Sequence, residues 1–150
     1  MVRKARLTDA KQIHKLAMEF AKRGEMLARS FAQIYECIRD YFVYEKQGEV
    51  IGACALHITW EDLAEVRSLA VEESEQSTGI GRELVLACID EAKMLEIKKV
   101  FSLTYKPGFF NKLGFKEIEK SELPHKVWAD CVNCPKFPDC DEIAMILRLS

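Results

Sequence analysis

The stretch that decides the fold reads Leu69-Ala70-Val71-Glu72-Glu73-Ser74-Glu75-Gln76-Ser77-Thr78-Gly79-Ile80-Gly81-Arg82. It has the pattern of an apolar strand, a short polar loop and a Gln-x-x-Gly-x-Gly turn that opens onto a helix. Glycine places no side chain over the backbone, and the first N–H groups of a helix have no intrahelical acceptor, so an anion can bind there. The stretch therefore predicts a strand–loop–helix unit with a pyrophosphate site, although a Gly-rich turn alone is more often only a turn.

Composition and charge limit the class of protein. With 150 residues and 49% hydrophobic content, the chain suffices for one domain over residues 1–150 with a core of its own. The formal net charge is −2 and no block of lysine and arginine alternates with aromatic residues, which argues against a nucleic-acid or anionic membrane surface. No run of about 18 apolar residues occurs, so we expect a cytoplasmic protein with a small-molecule ligand.

Hydrophobic periodicity predicts an alternating series of strands and helices without internal repeats. The predicted strands are 2–5, 41–45, 50–58, 65–71, 99–103, 115–118 and 143–149, and the predicted helices are 8–24, 30–40, 81–95 and 109–113. A tight turn at Lys46-Gln47-Gly48-Glu49 joins two of the strands as an antiparallel hairpin. The series predicts an α/β (α+β) protein with a mixed sheet and helices packed on its faces.

The six cysteines fall into two groups. Cys37, Cys54 and Cys88 stand singly in apolar patterns, which is typical of small buried thiols. The other three cysteines form a Cys-x-x-Cys-x5-Cys pattern in a C-terminal segment, and in a reducing compartment such spacing indicates a metal before a disulfide.

Three interpretations of that C-terminal segment, 121–142, remain open. Cys131, Cys134 and Cys140 could hold a structural zinc if a fourth ligand came from water or from one of three nearby residues, namely His125, Asp130 and Asp141. The other two interpretations are a disulfide from Cys140 to Cys131 or Cys134, and three reduced thiols. Together these two are as well supported as the zinc site.

Two motifs of the chain resemble the GCN5-related N-acetyltransferase (GNAT) family. Leu69-Ala70-Val71 followed by Gln76 to Gly81 fits its acetyl-CoA loop, and Phe110-Asn111-Lys112-Leu113-Gly114-Phe115 fits its Tyr-x-x-x-Gly-Phe element except at Phe110. The resemblance implies the GNAT fold, a mixed and mostly antiparallel sheet flanked by helices, with acetyl-CoA as cosubstrate. A Rossmann dinucleotide site fits less well, because the loop lacks Gly-x-Gly-x-x-Gly and the acidic residue that follows it.

The same resemblance implies which residues bind acetyl-CoA. The pyrophosphate would lie on the loop and helix start, and the pantetheine arm would lie beside the strand like an added strand. The implied set is Leu69, Ala70, Val71, Gln76, Ser77, Thr78, Gly79, Ile80, Gly81, Arg82 and Phe110. An N–H group near Ser68 or Leu69 would stabilise the oxyanion of the reaction. Phe110 cannot protonate the leaving thiolate as a tyrosine would, which leaves Tyr105, Ser102, water or no acid at all.

A narrower resemblance is to the acetyltransferase part of N-acetylglutamate synthases, and specifically to the short type without an amino-acid kinase domain. It rests on dispersed segments: Glu25-Met26-Leu27-Ala28-Arg29-Ser30, Gly52-Ala53-Cys54-Ala55-Leu56, Glu65-Val66-Arg67-Ser68-Leu69-Ala70-Val71, and Leu123-Pro124 with Lys126. The resemblance implies acetylation of the α-amino group of an amino acid, glutamate first and glutamine as the open alternative, a step of arginine biosynthesis, and a homodimer.

That resemblance also implies roles for four polar residues. Glu65 would be the general base that accepts a proton from the substrate ammonium, directly or through water. Arg29 would bind a substrate carboxylate with two parallel donors, and Arg67 and Lys126 are weaker candidates for a second carboxylate. In a regular strand Arg67 shares a face with Glu65 and could pair with it instead, which would oppose the base role.

Other functions remain open from the sequence. Without the resemblance, Glu65 would be interpreted as a solvent-facing strand residue and Arg29 as a surface arginine. The alternatives are an acetyltransferase for another small amine or a peptide N-terminus, and a non-catalytic acyl-CoA-binding module.

Overall fold

The strands of the computed structural model, which describes residues 1–124 and 141–149, all join one sheet. Within those ranges the strands are β1 (Val2–Lys4), β2 (Tyr41–Lys46), β3 (Glu49–Trp60), β4 (Leu63–Val71), β5 (Lys99–Thr104), β6 (Lys116–Ile118) and β7 (Ile143–Arg148). Their order across the sheet is β1-β2-β3-β4-β5-β7-β6. Neighbouring strands are antiparallel except β4 and β5, which are parallel. The predicted mixed and mostly antiparallel sheet is confirmed.

The helices cover both faces of the sheet. They are α1 (Ala10–Lys22), α2 (Phe31–Glu36), α3 (Ile80–Met94) and α4 (Pro107–Lys112). On one face, α3 buries Leu84, Val85 and Cys88 against strand residues that include Leu56 and Val66. On the opposite face, residues of α1 and α2 pack against the alternate strand positions, namely Tyr41, Val43, Ala53, Ala55 and Ala70. This division of one strand between two cores is what the period-two alternation of side chains requires.

Turn chemistry confirms the predicted hairpin between β2 and β3. Gln47 and Gly48 both have positive φ, 51° and 79°, as a two-residue type I′ turn demands. Glycine adopts this backbone without strain, so the turn sets the pairing of Lys46 with Glu49 and of Glu45 with Val50; a bulge then shifts the register before Tyr44.

Asp9 is the N-cap residue of α1, one of the two predicted, but its side chain makes no capping hydrogen bond. A 3-10 turn, Leu7–Asp9, precedes the helix, and the Asp9 carboxylate accepts hydrogen bonds from Arg3 and from the N–H of Arg6. The end of the second predicted helix is wrong. The helix predicted for 30–40 ends at Glu36, and a separate 3-10 turn, Ile38–Asp40, follows Cys37. Its start is as predicted, because Ser30 and Gln33 form a reciprocal capping box.

A β-bulge interrupts the pairing of β3 with β4. Ala53 pairs with Ala70 and Ala55 pairs with Arg67, so Ser68 and Leu69 together oppose the single residue Cys54. Ser68 has a φ of +58°, which is unusual for a residue other than glycine. The extra residue reverses the alternation, so that Ala70 joins the core on the α1 face. The bulge thus redirects the backbone where β4 approaches the glycine loop.

Candidate active site

The cleft of the molecule opens where two parallel strands separate. The pairing of β4 with β5 extends only from Leu63 to Glu65 on one strand and from Lys99 to Phe101 on the other. Beyond that point the strands diverge, and a cleft of about 970 Å³ lies between them. The edge of β4 that faces β5 therefore offers backbone N–H and C=O groups to a ligand, as an added strand would use them.

The glycine loop forms one end of this cleft. Ser77 and Gly79 both have positive φ, 68° and 89°, and they turn the chain sharply into α3. Gly79 at the helix start provides no capping side chain, so the first N–H groups of α3 remain available for an anion. The Gln76 side chain folds back and donates a hydrogen bond to the carbonyl of Val71 at 3.0 Å. This hydrogen bond from Gln76 therefore holds the loop at the end of β4.

Gly81 lines the cleft at the start of α3. A Cβ atom there would lie 3.5 Å from the Phe109 ring and 4.0 Å from Leu69, which is ordinary contact. Phe109 and Phe110 meet edge to face at 5.1 Å, and Phe110 meets Phe115 in the same way. This aromatic cluster anchors α4 beside the loop, and both Phe109 and Phe110 line the cleft.

Glu65 and Arg67 lie together at the other end of the cleft. Their side chains share the face of β4 that is turned towards α1 and α2, and Arg67 Nη1 lies 3.7 Å from Glu65 Oε1. The side chains are only 16% and 9% exposed, so the charges are mostly shielded from solvent. The pairing of Arg67 with Glu65, which the sequence left open as an alternative to a substrate-binding role for Arg67, is present in the structure.

Arg29 reaches the same cleft from the segment that joins α1 to α2. That segment, 24–29, lines the cleft along its whole length, opposite β4. The Nε atom of Arg29 is buried. The charges of Arg29 and Arg67 both act on the hydroxyl of Tyr41 and on the thiol of Cys37, so the two guanidinium groups share the end of the cleft where Arg67 pairs with Glu65.

Tyr41 lies behind this end of the cleft and is only 3% exposed. Burial raises the pKa of its hydroxyl above the ordinary value, while the neighbouring Ser68 hydroxyl and the charges of Arg29 and Arg67 oppose that rise. Tyr41 is therefore a neutral group next to the bulge. No sequence signal indicated it, because a tyrosine that starts a strand is ordinary.

Most of the predicted site residues meet in this one cleft. Those that line it are Arg29, Glu65, Arg67, Ser68, Leu69, Val71, Gln76, Ser77, Gly79, Gly81, Arg82 and Phe110. Ala70, Thr78 and Ile80 are not among its described lining residues. The side chains of Ala70 and Ile80 are buried in the two cores, so a role of either in binding would fall to its backbone.

The remaining predicted residues are the possible proton donors and the residues of the C-terminal segment. Ser102 and Tyr105, considered as proton donors, both line the cleft. Sequence reasoning missed Lys106 and Lys112, which also line it, because isolated lysines carry no recognisable pattern. Lys126 lies outside the described residues, as do the three cysteines of the C-terminal segment, Cys131, Cys134 and Cys140.

The described cysteines are reduced. Cys54 and Cys88 are fully buried, with their sulfur atoms 3.9 Å apart, as predicted for small core thiols. The hydrogen bond with Cys88 and burial raise the pKa of Cys54 well above its ordinary value. Cys37 is only half-buried.

Known proteins share both the sequence and the architecture. The model of the family described as acetyltransferase (GNAT) domain matches residues 38–117, more than half of the chain. An uncharacterized N-acetyltransferase of Chlorobaculum tepidum is 49% identical over 150 residues, which cover 99% of this chain and 96% of that protein. An amino-acid acetyltransferase of Mycobacterium tuberculosis is 34% identical over 131 residues, 85% of this chain and 75% of that protein.

Two solved structures superpose along the whole chain. A Mycobacterium tuberculosis protein in complex with CoA has a TM-score of 0.86 and 30% identity, and the match covers 100% of this chain and 99% of that one. The N-acetylglutamate synthase of Neisseria gonorrhoeae, complexed with coenzyme A and N-acetyl-glutamate, has a TM-score of 0.88 and 25% identity. The match covers 100% of this chain and only 35% of the synthase. Within the described ranges, no helix has the length and apolar character needed to span a membrane.

Proposed function

Because the chain belongs to the GNAT acetyltransferase family and is an N-acetyltransferase, we propose that it acetylates the α-amino group of an amino acid, with glutamate as the acceptor. The family resemblance and the fold expected from the sequence are thereby confirmed. The observation that carries the proposal is the convergence of Glu65, Arg67 and Arg29 on one end of a cleft whose other end is a glycine loop. The alternative of a non-catalytic acyl-CoA-binding module is set aside by family membership.

The cofactor half of the cleft has the chemistry that acetyl-CoA requires. The N–H groups at the start of α3 offer hydrogen bonds to a pyrophosphate, and the open methylene of Gly81 allows it to approach the backbone closely. The unpaired edge of β4 from Val66 to Val71 offers its backbone to the amide groups of pantetheine. When bound, acetyl-CoA supplies a thioester carbonyl as the electrophile.

The acceptor half of the cleft favours a dicarboxylic amino acid. Arg29 and Arg67 provide two guanidinium groups, and each can form two parallel hydrogen bonds to a carboxylate. Glutamate carries two carboxylates and one ammonium group, which is the complement of two guanidiniums and the Glu65 carboxylate. The Mycobacterium tuberculosis relative named an amino-acid acetyltransferase, and the Neisseria synthase complexed with N-acetyl-glutamate, support the same acceptor class.

We assign the base role to Glu65. The acceptor enters as an ammonium ion, and Glu65 accepts one of its protons, directly or through water, which frees the nitrogen lone pair. The amine attacks the thioester carbonyl, a C–N bond forms, and the carbonyl electron pair moves onto oxygen. The nitrogen then loses its second proton to water, the oxyanion reforms the carbonyl, and the C–S bond breaks to release the CoA thiolate. The thiolate is a fair leaving group near neutral pH and takes its proton from water or from Tyr105 in the cleft.

The bulge in β4 supports the oxyanion role proposed for the strand. The positive φ of Ser68 turns the peptide groups on either side of it away from the regular ladder. An N–H group redirected into the cleft at Ser68 or Leu69 can donate a hydrogen bond to the carbonyl oxygen as negative charge develops on it. Ser68 is therefore assigned through its backbone rather than through its hydroxyl.

A panel of acceptors tests the substrate class. The full chain is incubated with acetyl-CoA and glutamate, glutamine, aspartate, leucine, lysine or a short peptide, and each acetylated product is quantified by mass spectrometry. A thiol reagent is unsuitable, because the chain itself carries six cysteines. We expect kcat/KM for glutamate to exceed that for leucine by about 100-fold, the worth of one bidentate carboxylate contact. A peptide or lysine as the best acceptor would identify the alternative function, and CoA binding without transfer to any amine would overturn the proposal.

An arginine pair tests the acceptor site. In Arg29→Ala we expect the KM for glutamate to rise about 10- to 100-fold while the KM for acetyl-CoA stays unchanged, because only the acceptor loses a charge-assisted partner. The matched control is Arg23→Ala, since Arg23 pairs with Glu73 at 2.6 Å on the surface and is not among the described residues that line the cleft. Equal KM values for glutamate in both variants would show that Arg29 does not bind the acceptor.

A further inference from the structure

Three metal-binding side chains converge beside the acceptor end of the cleft. Cys37 follows α2, Asp40 ends the 3-10 turn after it, and His57 lies on β3. The Sγ of Cys37, a carboxylate oxygen of Asp40 and a ring nitrogen of His57 all lie within 4.8 Å of one another. His57 Nδ1 and Asp40 Oδ2 are 2.8 Å apart. We name this set the Cys37–Asp40–His57 cluster.

The burial of the cluster suits a bound ion. All three residues are half-buried. The side chain of His57 is 36% exposed and that of Asp40 is 25% exposed, so an ion has an entry path from solvent while its ligands are held by packed elements. Burial and the charge of Asp40 raise the pKa of the Cys37 thiol, and the charges of Arg67 and Arg29 oppose that rise.

From this geometry we infer that the Cys37–Asp40–His57 cluster is a binding site for a divalent ion of borderline softness, of which Zn²⁺ is the type. A thiolate, an imidazole and a carboxylate are the three ligand classes that zinc accepts, and hard ions such as Mg²⁺ and Ca²⁺ avoid the first. Four ligands at normal zinc distances lie about 3.3–3.8 Å apart. The ligand atoms of the cluster, all within 4.8 Å of one another, are therefore within about 1 Å of that spacing.

Binding at the cluster has a defined proton balance. The Cys37 thiol loses its proton to solvent, and His57 binds as the neutral imidazole. Asp40 either supplies an oxygen ligand or accepts the Nδ1–H of His57 while Nε2 binds the ion, which is the usual support for a histidine ligand. With Asp40 as a ligand the protein supplies three ligands and leaves a fourth position for water; with Asp40 bound to His57 instead, water fills two positions.

The cluster lies next to the proposed base. His57 is the direct partner of Glu65 in the register of β3 and β4, so their side chains emerge on the same face of the sheet. An ion held by Cys37, Asp40 and His57 would tie the end of α2 to the strand that adjoins β4. The inference rests on described residues alone, and it does not depend on the proposed acceptor.

Cobalt titration tests the site. The reduced full-length protein, freed of metal by a chelator and exchanged into buffer, is titrated with Co²⁺, and thiolate-to-cobalt absorption reports binding through sulfur. The wild type is compared with Cys37→Ser and His57→Asn. The other cysteines are common to all the proteins, so the difference in bound equivalents isolates the Cys37–Asp40–His57 cluster.

We expect each variant to bind one equivalent of Co²⁺ less than the wild type, or to bind it at least about 10-fold more weakly. The matched control is His14→Asn, because His14 is a half-buried histidine that stacks on Phe31 outside the cluster. It should bind as the wild type does. If His57→Asn melts early by circular dichroism, Cys37→Ser, which replaces a single atom, decides the question. Equal stoichiometry and equal affinity in the wild type and Cys37→Ser would overturn the inference.

Discussion

Arg67 Nη1 lies 3.7 Å from Glu65 Oε1, so the proposed base and a proposed carboxylate ligand form an ion pair on one face of β4. The guanidinium fixes the orientation of the Glu65 carboxylate at the acceptor end of the cleft. An acceptor carboxylate that draws Arg67 towards itself would loosen this pair and leave the Glu65 carboxylate to the arriving ammonium group.

Replacement of Glu65 should slow the chemical step without weakening the binding of acetyl-CoA. We expect Glu65→Gln to lower kcat about 10²- to 10⁴-fold, because an amide of the same shape cannot accept the ammonium proton. The dissociation constant of acetyl-CoA, measured by calorimetry, should stay unchanged, since Glu65 lies at the acceptor end of the cleft. A kcat within a few-fold of the wild type would remove Glu65 from the mechanism.

The two glycines of the loop should respond differently to the same added methyl group. In Gly81→Ala we expect wild-type stability, because the new Cβ meets only ordinary contacts, and acetyl-CoA binding about 10- to 100-fold weaker, because the methyl group obstructs the backbone N–H groups. Gly79→Ala should instead unfold about 1–2 kcal/mol more easily, since its φ of +89° disfavours a side chain. Denaturant unfolding and calorimetry of both variants check the contrast, and unchanged binding in Gly81→Ala would contradict the pyrophosphate assignment.

The sequence predicted the fold well because most of the elements are local patterns. The turn at Gln47-Gly48 and the glycine loop before α3 each combine a local conformational need with a matching residue type. The acetyl-CoA half of the cleft follows from these patterns, since one continuous strand–loop–helix segment builds most of it.

The acceptor half of the site was harder to predict from the sequence, because it depends on contacts between residues that are far apart in the chain. The bulge at Ser68 breaks the period-two pattern, and nothing about a serine signals a positive φ. The proximity of Cys37, Asp40 and His57 depends on where α2 ends, and the predicted helix over 30–40 would have displaced the first two. Tyr41 reaches Ser68 only through the register of three strands.

Two substitutions at the bulge should measure its backbone strain. Ser68→Gly and Ser68→Ala both remove the hydroxyl, but only alanine retains a Cβ at a φ of +58°. We therefore expect the glycine variant to have the larger free energy of unfolding, by about 1 kcal/mol. If the oxyanion donor is a backbone N–H, Ser68→Ala should keep kcat within a few-fold of the wild type. An alanine variant as stable as the glycine variant would show that the bulge carries no strain.

Because of the buried Asp9 carboxylate, the free energy of unfolding should depend on pH. Its carboxylate accepts hydrogen bonds from Arg3 Nη1 at 2.8 Å, from Arg3 Nη2 at 3.1 Å and from the N–H of Arg6 at 2.7 Å. The Arg3 hydrogen bonds lower the pKa of Asp9 below its ordinary value, and burial opposes them. Because the folded pKa lies below the unfolded one, the stabilisation is complete above the unfolded value of about 4 and is lost as the pH falls through the folded pKa.

Asp9→Asn should remove this part of the pH dependence. At pH 7 we expect the variant to unfold about 1–3 kcal/mol more easily than the wild type, because buried donors lose a charged acceptor. The difference should shrink as the pH falls from 5 towards 2, where the wild-type carboxyl is itself protonated. The control is Glu73→Gln, whose exposed pair with Arg23 should be worth only about 0–1 kcal/mol at neutral pH. Urea unfolding at several pH values checks both variants, and a constant gap between Asp9→Asn and the wild type across that range would show that the ionisation of Asp9 does not stabilise the fold.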